Sequence, residues 1–328
     1  MTAVADPSAV LDEVRAGGLL APRRPVVVML SGGRDSTCLL HLAVQIAGAQ
    51  AVSALHVNYG LRDSAARDER HCAQLCRQFR VALEVRHPSA PGPGNLQAWA
   101  RAQRYGVAAQ IALARGADVA AGHTATDQVE TILYRLASSP SRRALLGMRP
   151  RDGALVRPLL AFTRQDTAAY CRARELGWVE DETNDAVTFA RGRVRGSLVP
   201  ALREIHPAAE RNVLALAELL RDEATVLDAA VEAALAGAAT VELAKLRELP
   251  VALARLVVQR LADAAAGQPA PGTARRLADI LALNEHGVAA LDLPHGVRVT
   301  AQRGVLRFGR TPALSDRCTT PPGREAPL

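Results

Sequence analysis

The stretch "VVVMLSGGRDSTCLLHLAVQ", Val26 to Gln45, begins as an apolar strand and ends as an apolar helix. The junction is Ser31-Gly32-Gly33-Arg34-Asp35-Ser36. A sharp strand-to-helix turn aims backbone N–H groups, and the positive end of the helix dipole, at whatever lies above it. Gly32 and Gly33 permit the tight turn and let an anion reach the backbone. Ser31, Ser36 and Thr37 add hydroxyl donors, so the junction reads as a phosphate cradle that includes Arg34. It is not a Walker A loop, because that pattern requires a lysine, and no GxGxxG pattern is present. Asp35 inside an anion cradle is repulsive unless a cation bridges it, which implies Mg²⁺. The plain alternative is a glycine turn in which Asp35 only supports the helix start. The apolar strand directly upstream and the three hydroxyls favour the cradle.

Outward from this junction, strands and helices alternate. Strands are expected at 25–30, 51–58, 81–87 and 117–123. Helices are expected from Ser36 to about Ala47, near Ser64–Phe79, from an Asn95 cap to Arg115, and after the strand 117–123 to about Leu136. This βαβα rhythm implies an α/β fold, a parallel twisted sheet with helices on both faces. Ligands of such sheets bind beyond the carboxyl ends of the strands. Residues 138–162 read as a basic loop with little periodic structure. Thr163 then opens a helix, with Asp166 completing a capping box. From Pro207 the character changes to alanine- and leucine-rich helices at 207–236, 242–266 and 272–284, closed by a β-hairpin over 291–309. The expected organisation is an N-terminal helix and linker (1–23), a nucleotide-binding catalytic domain (24–204), a smaller, mainly helical domain (205–312) and a flexible tail (313–328).

The chain has 328 residues, 40 basic against 33 acidic, for a net charge of +7. That balance favours an anionic partner such as nucleic acid. Lys245 is the one lysine, and a coding bias toward arginine would give the same composition without a binding face. No apolar run reaches the roughly 20 residues of a bilayer span, and the first residues lack a signal-peptide core. A soluble, cytoplasmic protein with no membrane partner is expected. Five cysteines form no CxxC pair, so neither zinc nor a redox couple is suggested. Cys72 and Cys76 share a helical face with Leu75 and Phe79 and read as packing.

The junction resembles the PP-loop, "SGGxDS", of the ATP pyrophosphatases. That resemblance implies ATP held by its pyrophosphate end, cleavage between the α- and β-phosphates, and an adenylated substrate. Further segments narrow it: "HVNYGLR" (56–62), "ARAQRY" (100–105), "GHTATDQVETIL" (122–133), "RPLL" (157–160), "EDETN" (180–184) and "RGRVR" (191–195). In this order and spacing the set resembles the tRNA(Ile)-lysidine synthetase family over about residues 24–205. Two positions depart from the family pattern: Tyr59 stands where His is usual, and Gly192 where Asn is usual. The chain looks like a short form of the family.

The resemblance implies ATP, Mg²⁺, free L-lysine and a tRNA(Ile) with a CAU anticodon. Asp35 and Asp127 are the candidates for metal or phosphate-end positioning, and Arg104 for balancing phosphate charge. His123, Asp127 and Glu130 share one helical face. Two carboxylates there suit recognition of an ammonium, so Asp127 and Glu130 are candidates to grip lysine and deprotonate the attacking amine. Thr124 and Asp127 also form a capping-box pattern, so Asp127 has a structural role open to it. His56, Asn58, Arg62, Arg101, Arg191 and Arg195 are candidates for substrate or tRNA contact. His56 alone reads equally as a strand-end histidine, and Arg101 as a solvated helix face. The competing functions are tRNA thiolation, for which the scattered cysteines supply no motif, and a non-catalytic tRNA-binding protein. Oligomeric state stays open, a homodimer included.

Overall fold

The computed structural model describes residues 6–60, 64–89, 92, 94–139, 142–180 and 190–312. Its contacts divide the chain into two units, residues 1–218 and 219–328. The expected boundaries at 204 and 312 remain a proposal, and the tail 313–328 lies outside the described residues.

The first unit opens with α1 (Pro7–Ala16), β1 (Val26–Met29), α2 (Arg34–Ala47), β2 (Val52–Val57), α3 (Ala65–Phe79) and β3 (Ala82–Arg86). It continues with α4 (Leu96–Arg115), β4 (Asp118–Ala120), α5 (Ala125–Ser138), α6 (Arg142–Leu145), β5 (Arg151–Asp152), β6 (Leu155–Val156) and α7 (Arg164–Ala173). The last pieces are α8 (Ala190–Arg193), a π-helical turn at Val194–Leu198, and α9 (Val199–Ile205). Helix α10 (Ala209–Leu235) runs across the division.

The sheet order is β3-β2-β1-β4-β6-β5. Pairings β3–β2, β2–β1, β1–β4 and β4–β6 are parallel, and β5 closes the edge antiparallel. The order reverses between β1 and β4, where the crevice of an open parallel sheet holds its ligand. Strand β1 is buried on both faces, as a central parallel strand must be. Its side chains alternate with period two. Val26, Val28 and Leu30 pack with α1, α2, α3 and α7, through residues such as Val14, Leu39, Leu75 and Tyr170. Val27 and Met29 face Ala108, Ile111 and Ala112 of α4.

Two helix starts follow from local chemistry. Asn95 accepts from the N–H groups of Gln97 and Ala98, both at 3.1 Å, and so caps α4. Thr163 and Asp166 form the reciprocal capping box of α7. The basic segment 138–162 differs from its reading as a loop, since α6, β5 and β6 lie inside it. Two-residue strands show no periodicity, and β6 is defined by its pairing with β4 rather than by its own sequence.

The second unit contains β7 (Thr240–Glu242), α11 (Leu243–Glu248), α12 (Val251–Ala266), α13 (Leu277–Leu281), β8 (Val288–Leu293), β9 (Val297–Gln302) and β10 (Val305–Arg310). The hairpin expected at 291–309 is the centre of a four-stranded antiparallel sheet of order β7-β10-β9-β8. The helix expected over 242–266 breaks at Pro250. Leu249 is extended there, with φ −69° and ψ 147°, as a residue preceding proline prefers. Val297, Val299, Ala301 and Leu306 of the sheet pack with Leu246, Val257 and Val258 in a separate core. No helix among the described residues is long and apolar enough to cross a membrane.

Candidate active site

The cradle is built by the turn from β1 into α2. Gly32 has φ +85°, and a Cβ there would lie 3.2 Å from Cys72 Sγ and 3.4 Å from His71 Cδ2. Glycine is therefore required for both conformation and space. The hydroxyls of Ser31 and Ser36 lie 3.0 Å apart. Ser36 donates to the Gly33 carbonyl at 2.9 Å, and the Gly33 N–H donates to Ser31 Oγ at 3.3 Å. Helix α2 starts from Gly33 with no side-chain cap, so its first N–H groups face outward, which suits an anion. Gly122, on the segment after β4, supports this turn from the other side. A Cβ at Gly122 would approach the backbone carbonyl of Asp35 to 3.1 Å.

The segment following β4 carries the carboxylates. Asp127 divides its two oxygens between tasks. Oδ2 accepts from the Thr124 N–H and hydroxyl, both at 2.9 Å, completing the capping box. Oδ1 accepts from Arg164 Nη2 at 2.7 Å. Burial works to raise the Asp127 pKa, but the Arg164 charge and the Thr124 bonds outweigh it and hold the carboxyl below its ordinary value. Glu130, 4% exposed, receives a two-pronged contact from Arg195, Nε at 2.7 Å and Nη2 at 3.0 Å. Arg164 Nη1 adds a third contact to Glu130 at 3.5 Å. Arg195 reaches Glu130 from the π-helical turn between α8 and α9.

Asp35 faces the same guanidinium. Its Oδ1 accepts from Thr167 Oγ1 at 2.5 Å and from Arg34 Nε at 3.2 Å. Its Oδ2 lies 3.9 Å from Arg164 Nε. Asp35, Asp127 and Glu130 thus converge on Arg164, at the first position of α7. Neither Arg164 nor Thr167 follows from the sequence pattern. The one available signal, the capping box at Thr163 and Asp166, fixed where the helix starts but not what its first turn touches.

His123 sits at the end of β4, its Nε2 3.5 Å from the Tyr105 hydroxyl. Burial, then the fields of Arg157, Arg101 and Arg104 against that of Asp127, push its pKa down to about 4, so the ring is neutral at pH 7. Gln128 points away from the carboxylates. It brackets Met148, donating to its carbonyl at 2.9 Å and accepting from its N–H at 2.7 Å. Arg101 and Arg104 lie on α4, with their guanidinium carbons 4.4 and 5.6 Å from the Tyr105 ring centre.

His56 is 5% exposed, and its Nδ1 lies 2.9 Å from the Leu30 carbonyl oxygen. Asn58 donates to Glu69 at 2.7 Å and accepts from the Gly60 N–H at 2.9 Å. Tyr59 donates to the Ala100 carbonyl at 2.8 Å and packs on Trp99, tying its loop to α4. Arg191 is exposed on α8. Arg62, and Asp181 to Asn184 of "EDETN", lie outside the described residues.

Comparison with known proteins gives this arrangement a family. A PP-loop domain model matches residues 9–202. A tRNA(Ile)-lysidine synthase from Symbiobacterium thermophilum is 37% identical, the match covering 96% of this chain and 71% of the relative. One from Geobacter sulfurreducens is 33% identical over 96% of this chain and 73% of its own. The chain belongs to the tRNA(Ile)-lysidine synthase family. Against the lysidine synthase of Thermus thermophilus, 37% identical, the match covers 74% of this chain but half of that relative. The fold extends beyond the lysidine synthases. The U34-tRNA thiolase NcsA from Methanococcus maripaludis superposes with a TM-score of 0.54 at 16% identity, over 65% of this chain and 78% of that one.

Proposed function

We propose that the protein ligates L-lysine to C2 of the wobble cytidine of a CAU-anticodon tRNA(Ile), using ATP and forming lysidine. The observation that carries this reading is the convergence of Asp35, Asp127 and Glu130 on Arg164, beside a PP-loop cradle, in a chain of this family.

Cytidine O2 is a poor leaving group. In the first step O2 attacks the α-phosphorus of ATP, an O–P bond forms, and pyrophosphate departs. The open N–H groups of α2 and the hydroxyls of Ser31 and Ser36 receive the pyrophosphate end, and Arg104 offsets its charge. Mg²⁺ held by one or two carboxylates and by substrate phosphates is the usual arrangement for this ion. Asp35 and Asp127, whose oxygens address one guanidinium, fit that donor set. Bound there, the ion would neutralise charge on the phosphates. In the second step a lysine amine attacks C2 and AMP departs. Asp127 and Glu130 suit the ammonium because both already hold cationic nitrogen, and an ionised Asp127 accepts the proton of the attacking amine. Neutral His123 offers a hydrogen bond to the base without adding charge.

The test is turnover with ATP, Mg²⁺, radiolabelled lysine and a CAU-anticodon tRNA(Ile) transcript. The reading predicts AMP release and lysine incorporation into tRNA in equal amounts. Sulfur incorporation, or ATP cleavage with no label in tRNA, contradicts it. Cytoplasmic location belongs to the same proposal.

A further inference from the structure

Several arginines of the first unit are paired with carboxylates, Arg164 with Asp127, Arg195 with Glu130 and Arg151 with Asp118. Others in the same unit are not, among them the following five. Arg101 and Arg104 on α4, Arg135 on α5, Arg157 just after β6, and Arg191 on α8 form no ion pair among the described residues. Arg157 is 5% exposed, yet among the described residues its guanidinium hydrogen-bonds only to the Arg149 carbonyl, at 2.6 Å from Nη1. Arg135 likewise donates to the Gly147 carbonyl at 2.9 Å. Three buried nitrogens here, Arg104 Nε, Arg157 Nε and His123 Nδ1, have no hydrogen-bond partner among the described residues. Burying a cation and leaving donors unmade costs stability unless a ligand completes them.

Two of these arginines flank one ring, and the charges of the others reach the same neighbourhood. Tyr105 is flanked by Arg101 and Arg104, and its hydroxyl lies 3.5 Å from His123. Arg157 acts electrostatically on both Tyr105 and His123. Arg135 is held below the usual arginine range by burial first and then by Arg191, Arg101 and Arg157. Asp152 is the acid whose field reaches Arg157, and Asp127 is the acid whose field reaches His123.

We propose that Arg101, Arg135, Arg157 and Arg191, next to Arg104, form a phosphate-binding site beside His123, filled by the RNA backbone next to the nucleotide being modified. Guanidinium forks match phosphate oxygens in geometry and charge. The site rests on the reading that the protein modifies tRNA; it adds Arg135, which no sequence pattern singled out, and gives a role to Arg157, the first residue of "RPLL". Phosphate oxygens also belong to ATP. The cradle at Ser31 already supplies donors for that ligand, whereas Arg101 and Arg191 are exposed and open the cluster to a long polyanion.

The experiment measures tRNA(Ile) binding without ATP across a potassium chloride series, and the KM for ATP·Mg²⁺ in AMP release. The proteins are wild type, Arg157→Gln, Arg157→Lys, Arg135→Gln, Arg101→Gln and Arg191→Gln. Each Gln variant should weaken tRNA binding about 5- to 20-fold and reduce the log–log salt slope by about one, with the ATP KM unchanged. Arg157→Lys should keep the salt slope, since it keeps the charge. Arg101→Gln and Arg191→Gln alter exposed side chains and keep the test open if the Arg157 variants misfold. A raised ATP KM with tRNA binding unchanged would overturn the assignment to RNA and give the phosphate to the nucleotide. Variants equal to wild type in both measurements would overturn the site altogether. Wild-type protein that binds no tRNA would instead overturn the tRNA-modifying reading itself.

Discussion

Arg164 lies 2.7 Å from Asp127, 3.5 Å from Glu130 and 3.9 Å from Asp35. Two forces act on Asp127: burial raises its pKa, and the Arg164 charge with the Thr124 hydrogen bonds lowers it. The second wins, so the carboxylate stays ionised. Because its folded pKa is below the unfolded value, Asp127 contributes stability above pH ~4 that is lost as the pH falls through the folded pKa. In Arg164→Gln, burial should win instead. The acidic limb of the kcat/KM profile should then move to higher pH, with activity at pH 7 down about 100-fold. A pH profile from 5 to 9 checks this, and an unmoved limb would mean that Arg164 does not hold the carboxylate. At this scale the cradle and all three carboxylates were legible, because "SGGRDS" and "GHTATDQVE" are contiguous. Thr167 and Arg164 were not. They meet Asp35 and Asp127 across separations of 132 and 37 residues, and no local period reports such a meeting. Asp127 serves the cap with one oxygen and gives the other to Arg164, so the cap leaves one oxygen for the proposed role.

The elements were legible where they are long. Strand β1, helix α4 with its Asn95 cap and the start of α7 followed from apolar period and capping chemistry. Strands β5 and β6 did not, since they hold two residues each and exist through pairing. The four-stranded sheet of the second unit was seen only as a hairpin. Strand β7 has three residues, and β8, "VAALDL", is too alanine-rich to read as a strand. Helix α5 has a second anchor beyond its capping box, through Gln128 and the backbone of Met148. Gly147 makes room for that side chain. It has φ +65°, and a Cβ there would lie 2.8 Å from the Gln128 amide. Gln128→Leu leaves a buried N–H and a buried carbonyl unpaired, at about 1–3 kcal/mol for each. Urea unfolding should show a lower midpoint with an unchanged m-value, and a loss below 0.5 kcal/mol would refute the anchor.

Each unit of the molecule has its own apolar core, which is the physical condition for separate unfolding. Calorimetry should resolve two transitions, and ATP·Mg²⁺ should raise only the one belonging to residues 1–218, since a ligand stabilises the unit that binds it. One transition that moves as a whole would contradict this. Fold class and family were legible over the first unit because a buried parallel strand feeding a glycine turn is a specific signal. The second unit carries no such signal; its helices and one hairpin were expected from the sequence, while the break at Pro250 and the full four-stranded sheet came from the structure. The reading of the whole molecule depends on AMP, rather than a terminal phosphate, passing to RNA. The direct measurement incubates the protein with tRNA(Ile) and ATP labelled at the α-phosphate, with lysine withheld and then added. Label should appear on the tRNA first and leave as AMP when lysine is supplied; label that never joins the tRNA, with ADP as the product, would contradict the mechanism.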